Sequence, residues 1–420
     1  MASRKEVLSL YRRIIKVGKT WEAANPSQTE TERNYIIKEA RQAFRQNSSE
    51  KDPEKIKKLI EEGEKRVTIA QHYRIPYERP EYLPPATSYQ VNVAKGKFKV
   101  IKPKLGTWNT LKFIHYYYAG VLPETDIIDD FVVELMKDPE LGQFFSSLLL
   151  VQFPGKAQFE RRLLKLISNK LESKNFYDVD EIYARLGSLV EAPTFFRIFF
   201  NFEDPDLTVI TEEKSEQLSS GTTGLSSWQA AYVLANFIKG NTNFFRNRHV
   251  LELGAGCGLT GIACAKYCNP KSLCLTDFNP NVLDQLRKNV NLNNLDGIVI
   301  QKLDWMEFNP DQLNMKPDIV IAADVVYDPF VLTGLASTLR QLLTTSSTSE
   351  TSPVAFIACT VRNPSTLQEI KDLIVENSLQ IVETIYWSDS PVDSFETFPI
   401  PHGSSFSFPV EILKIQSRQD

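Results

Sequence analysis

The residues whose types and spacing could do chemistry lie in the second half of the chain. Gly254-Ala255-Gly256-Cys257-Gly258 follows the apolar run HVLEL and opens the helical stretch LTGIACAKYC. This order predicts strand, turn and helix, with glycines where the backbone turns tightly and approaches a ligand. Asp277 stands 23 residues beyond Gly254, at the end of the next β-rich run, SLCLTDF. A carboxylate there accepts hydrogen bonds from ribose hydroxyls, and the pair points to an adenosine-containing cofactor. The bland alternative is a purely structural strand-helix turn. The pattern is GxGxG and not the dinucleotide GxGxxG, because position 259 is Leu and the next glycine is Gly261. A helix start shaped for pyrophosphate is therefore less well supported.

Two further strand ends carry polar groups. Asp304-Trp305 closes the run GIVIQKLDW, where a carboxylate could meet an adenine amine and an indole could cover its face; Trp305 as ordinary core is the competing reading. Asp324-Val325-Val326-Tyr327 closes DIVIAADVVY and sets an acid and a phenol at the carboxyl edge where open α/β sheets bind ligands. An acid at a strand end is also often a helix cap, and Pro329 begins a helix nearby. Metal chemistry is not expected: the five cysteines, Cys257, Cys264, Cys268, Cys274 and Cys359, form no CxxC pair and only four histidines accompany them. The same usage argues for a reduced compartment and against a zinc site.

The elements that must position these groups follow from periodicity. HVLELGAG, SLCLTDF, GIVIQKLDW, DIVIAADVVY, VAFIACTV and LQIVETIYW are short β-rich runs, most of them separated by helical patterns, as in a parallel sheet. The closing segment FSFPVEILKIQ has no helix after it and is expected to insert as an antiparallel strand. Residues 107–205 are expected to be a helical region, with FIHYYY, FVVELM, FFSSLLL, FERRLLKLI, IYARL and FFRIFF all taken as helical, and 206–420 the α/β domain. Residues 89–106 read as a linker.

Before it, three amphipathic helices are expected within 1–88: one over 3–22 with Val7, Tyr11, Ile14, Gly18 and Trp21 in phase, one opening at Ser27 and Glu30, and one opening at Asp52-Pro53. IPYERPEYLPP then forbids further helix. Charge divides the chain in the same place. Residues 1–104 carry 23 Lys and Arg against 13 Asp and Glu, and the rest 25 against 39. No apolar run reaches the roughly 20 residues of a membrane helix, and the start lacks an apolar signal core, so neither a membrane nor a secreted protein is expected.

VLELGAGCGLTG, TDF, LDW, AADVVY, TVRNP and the earlier SSGTTGLSSWQAA resemble the seven-strand lysine methyltransferases that use S-adenosylmethionine, and within them the elongation factor 2 lysine methyltransferase family, over about residues 110–420. The resemblance implies an α/β fold with a Rossmann-like seven-strand class I sheet. It implies that Gly254, Ala255 and Gly256 line the methionine and ribose side, that Asp277 binds ribose, and that Trp228, Trp305 and Ala323 contact the cofactor. Asp324 and Tyr327 match that family's acid-x-x-aromatic motif beside the target lysine. Cys257 and a short loop in the 390s depart from its pattern.

Leu10-Tyr11-Arg12, Phe44 in ARQAFRQN and IPYERPEYLPP resemble the LYR-motif family over about residues 1–88. That resemblance implies a separate three-helix bundle that docks the mitochondrial acyl carrier protein, whose acidic surface suits a basic module. A basic bundle with no partner is the plainer reading. The expected function is protein-lysine methylation, with elongation factor 2 as substrate, in the cytoplasm; no nucleic-acid or membrane partner is expected. Three alternatives stay open: an acyl carrier protein-binding adaptor with the methyltransferase domain as passenger, two halves joined by erroneous gene prediction, and a mitochondrial address through the LYR module.

Overall fold

The computed structural model describes residues 4–22, 29–47, parts of 50–67, 108–216, 222–344, 352–387, 398–400 and 408–418. The linker 89–106, the Pro-rich segment and the 390s loop lie outside these. The chain divides into two units, Met1–Pro85 and Ala86–Asp420.

In the first unit, the helices Arg4–Thr20 and Thr29–Gln46 pack against each other, and residues 55–60, 63–64 and 66–67 are helical. Gly18 makes the close approach possible, since a Cβ there would lie 2.9 Å from Ile37. Leu10 is buried, with Gly63 against its side chain. Tyr11 packs on Phe44 with ring centroids 4.9 Å apart. Trp21 is also buried, and its indole N–H donates to Glu32 Oε2 at 2.7 Å. Arg12, Arg13 and Lys16 face solvent.

The second unit begins with the helices Trp108–Ala119, Thr125–Lys137, Ala157–Ser173 and Asp180–Ser188, which surround an aromatic core that includes Phe113 stacked on Phe131 at 3.8 Å. Glu160 is buried inside it and accepts from Tyr117 at 2.5 Å and from two nitrogens of Arg185 at 2.8 and 2.9 Å. The segment FFRIFF is not helical: β1 (Thr194–Phe199) pairs antiparallel with β2 (Val209–Lys214). Side chains alternate across a strand, so Ile198 and Ile210 enter the helical core while Phe199 and Val209 enter the core of the α/β sheet. A strand apolar on both faces has no period-2 signature, and this is why its six residues read as helix.

The main sheet contains β3 (His249–Leu253), β4 (Ser272–Asp277), β5 (Val299–Lys302), β6 (Ile319–Ala323), β7 (Val354–Thr360), β8 (Leu379–Trp387) and β9 (Val410–Ser417), in the order β5-β4-β3-β6-β7-β9-β8. β3 to β7 pair in parallel, and β9 runs antiparallel between β7 and β8. The helices Gln229–Gly240, Leu259–Cys268 and Pro280–Leu292 cover one face; Pro329–Thr344 and Pro364–Glu376 cover the other. Three of these helices start alike. Asn279, Asp328 and Asn363 each accept the backbone N–H two residues on, and a proline occupies the intervening position, whose N–H a helix would leave unpaired anyway. The order reverses between β3 and β6, which places a crevice at the carboxyl ends of those two strands.

Candidate active site

Every residue singled out from sequence chemistry sits at that carboxyl edge. The turn after β3 is built on positive φ at Gly254 (64°) and Gly256 (55°). At Gly254 a Cβ would meet Val325 at 2.8 Å and the Trp305 ring at 3.4 Å; at Gly256 it would meet the Gly224 carbonyl at 3.2 Å. A side chain at either position is thus strained by the positive φ and crowded by its neighbours. Asp277, at the end of β4, spans this turn: Oδ2 accepts from Gly256 N at 3.2 Å and Oδ1 from Asn279 N at 3.0 Å. Burial raises the Asp277 pKa, and the Asn279, Gly256 and Phe278 amides act against that rise. A carboxylate offers about four acceptor sites, so the two bonds named leave capacity for a ligand. Asp304 accepts from Met306 N at 2.9 Å, which turns the chain after β5 and leads Trp305 toward Gly254.

Asp324 adopts φ 54°, unusual for a residue with a side chain. Its Oδ2 accepts from Ala230 N at 3.1 Å and Thr360 Oγ1 at 2.9 Å, and its Oδ1 from Thr360 N at 3.1 Å. It therefore caps a helix, but not the one that follows it: that helix is capped by Asp328, and Asp324 holds the start of Gln229–Gly240. Arg362 approaches both Asp324 oxygens at 3.4 Å, and its guanidinium carbon lies 5.0 Å from the Trp228 ring centroid. Trp228 is oriented by its indole N–H donating to Thr223 O at 3.0 Å. Ala323 pairs with Ala358 across β6 and β7. Tyr327 is 60% exposed, on the rim of the same edge.

Two residues at this edge were not singled out from the sequence. Arg362 lies within TVRNP, two residues past Thr360 at the end of β7, and its place at the carboxyl edge was the available signal. Glu252 is the one acid inside the apolar run HVLEL. It is 2% exposed and its Oε2 has no hydrogen-bond partner. Burial pushes its carboxyl up to about 8, helped by the charge on Asp277 and opposed by the Gly261 amide and the Thr260 hydroxyl. The site thus carries a neutral acid beneath the glycine turn at neutral pH.

This sheet order, with its reversed last strand and a glycine turn spanned by an acid at the end of the next strand, defines a Rossmann-like methyltransferase domain. The lysine methyltransferase family model matches residues 203–369, and the Complex 1 protein LYR family model matches residues 5–69. Protein-lysine N-methyltransferase EEF2KMT of Bos taurus is 32% identical over 292 residues, 64% of this chain and 82% of that protein. Its Homo sapiens namesake is 34% identical over 259 residues, 58% of this chain and 78% of that protein. LYR motif containing protein 1 of Danio rerio is 52% identical over 85 residues, 20% of this chain and 72% of that protein. A methyltransferase from Pyrococcus furiosus, 12% identical, covers 49% of this chain and 89% of its own with a TM-score of 0.34. The chain belongs to the protein-lysine N-methyltransferase family and carries an LYR-family module at its N-terminus. Among the described residues no helix is long and apolar enough to cross a membrane.

The raised Glu252 pKa fixes a sign. Folding favours the neutral acid, so its stabilisation is complete below the unfolded value of 4.5 and is lost as pH rises through about 8. Glu252→Gln is expected to flatten that decline, which in the parent is on the order of 5 kcal/mol. Urea titrations across the range check it; parallel curves for parent and variant would assign the dependence to other groups.

Proposed function

We propose that this lysine methyltransferase takes its methyl group from S-adenosylmethionine, bound between the glycine turn and Asp277, and delivers it to a lysine of elongation factor 2. The observation that carries the cofactor reading is the Asp277 carboxylate, bonded to Gly256 N across a turn built on positive-φ glycines. When bound, the cofactor supplies an electrophilic methyl on a sulfonium. Asp277 accepts from the ribose hydroxyls. Gly254, Ala255 and Gly256 let backbone approach the ribose and methionine side, while Asp304 and Trp305 serve the adenine. Trp228 and Ala323 line the remaining wall. Support for the substrate is the name EEF2KMT borne by the bovine and human relatives.

Methyl transfer needs a neutral amine in line with the methyl, and making that amine at pH 7 costs a free lysine about 4 to 5 kcal/mol. Asp324 orients the incoming ammonium, which gives its proton to solvent before the amine attacks, and Tyr327 walls the entry. Asp324 is already engaged by Ala230, Thr360 and Arg362, of which Arg362 is the most distant at 3.4 Å and has a side chain 32% exposed. The ammonium therefore reaches the carboxylate by taking the place of Arg362, while the Ala230 and Thr360 bonds hold the acid in position. We further propose that the N-terminal module docks acyl carrier protein through its basic helix surface, where Arg12, Arg13, Lys16, Arg41 and Arg45 are exposed around the buried Leu10 and the Tyr11–Phe44 pair.

Asp277→Ala and Gly256→Val are each expected to weaken S-adenosylmethionine binding at least about tenfold, roughly 1.4 kcal/mol, in calorimetric titration. Parent-like affinity in a folded Gly256→Val protein removes the glycine assignment.

For Asp324→Asn, expected turnover on elongation factor 2 falls roughly ten- to a thousandfold at saturating substrates. Because the new amide faces the Ala230 and Thr360 donors, the variant should also lose about 1 to 3 kcal/mol of stability. A rate within a factor of two of the parent, measured where both proteins are folded, sinks the catalytic assignment.

The Arg12→Glu, Arg45→Glu double variant should capture acyl carrier protein about tenfold less well than the parent at low salt. Equal capture would exclude the basic surface as the dock.

A further inference from the structure

The helix Pro280–Leu292 offers Asn289, and just past its end Asn293, to the edge of β2 that β1 does not use. Asn293 pairs with both backbone groups of Ile210: its Oδ1 accepts from Ile210 N at 2.9 Å and its Nδ2 donates to Ile210 O at 2.6 Å. Asn289 pairs in the same way with Glu212, accepting from its N at 2.9 Å and donating to its O at 3.1 Å. The match is geometric. One helical turn rises about 5.4 Å and two strand residues span about 6.6 Å, so two amides four residues apart meet two peptide units two residues apart. An edge strand with free backbone groups is thereby closed by side chains in place of a further strand.

Asn289 does one thing that Asn293 does not. Its Nδ2 also donates to the Cys257 carbonyl, at 2.8 Å, inside the glycine turn. The side chain is fully buried, and both of its N–H groups are committed, one to β2 and one to the turn. Cys257 O belongs to the residue after Gly256, whose N–H meets Asp277. We infer that Asn289 is a positioning residue for cofactor binding: it sets the glycine turn from behind and makes the turn's shape depend on the β1–β2 hairpin, and so on the helical region packed against it. This rests on the proposed cofactor site.

A matched pair of variants of the full chain tests it. Asn289→Ala and Asn293→Ala each lose an amide pair to β2, but only the first releases Cys257. With both proteins held below their unfolding transitions, Asn289→Ala is expected to weaken S-adenosylmethionine binding about tenfold and to speed hydrogen exchange at the Gly256 and Gly258 amides without cofactor. Asn293→Ala should leave both within about twofold. Equal effects of the two variants, or parent-like exchange and affinity in Asn289→Ala, would overturn the inference. Should Asn289→Ala not fold, Asn289→Ser is read by the same two measurements. A parent chain that binds no S-adenosylmethionine defeats the cofactor reading alone, because the exchange measurement still decides the role of Asn289.

Discussion

One carboxylate ties the carboxyl edge of the sheet together. Asp324 receives the first turn of the helix Gln229–Gly240 through Ala230, the end of β7 through Thr360, and the loop beyond it through Arg362. To do so its backbone takes a left-handed conformation that costs a residue with a side chain on the order of 1 kcal/mol. That strain persists because the bonds on all sides over-determine it. Trp228 precedes the helix that Asp324 anchors, and Val325 follows Asp324 into contact range of Gly254. The same group that faces the substrate lysine in the proposed reaction therefore also sets the walls around the methyl donor, so its two roles cannot be separated by a single substitution without measuring stability.

The polar groups around this edge divide by what they do to charge. Asp277 and Asp324 are held by several donors and remain suited to bind cationic or hydroxyl partners. Glu252 sits deeper, with one oxygen unpartnered, and folding keeps it neutral. A negative charge on Glu252 would oppose one on Asp277. A protonated glutamic acid keeps the volume and the hydrogen-bonding capacity of the side chain without that repulsion.

Much of this was legible in the chain. The main-sheet strands announce themselves as short β-rich apolar runs set between helical patterns, and the strand-turn-helix order around Gly254 needs only adjacent residues. What was hidden depends on distance. Asp324 meets Ala230 and Thr360 at separations of 94 and 36 residues, so its strand-end position suggested a cap while the capped helix could not be named. FFRIFF misled for a different reason: it follows five helical runs, serves two cores at once and lacks the strand-helix alternation that marks the main sheet. Asn289 gave no signal at all, since a polar residue on a helix ordinarily faces water, and here it completes an edge strand instead.

The position of β9 has a consequence for how the chain is made. Among the described residues β8 pairs with β9 and no other strand, and β7 is paired on one side by β6 and on the other by the same β9. During synthesis the first five strands of the sheet can assemble as they emerge, but two open edges, one on β7 and one on β8, wait until residues 410–417 leave the ribosome. A nascent chain paused before that point would present both edges to its surroundings, the kind of surface that invites mispairing between chains. In a chain made from its N-terminus, β9 therefore joins a sheet whose strands on both sides of it have already emerged, with β7 and β8 acting as its two-sided template.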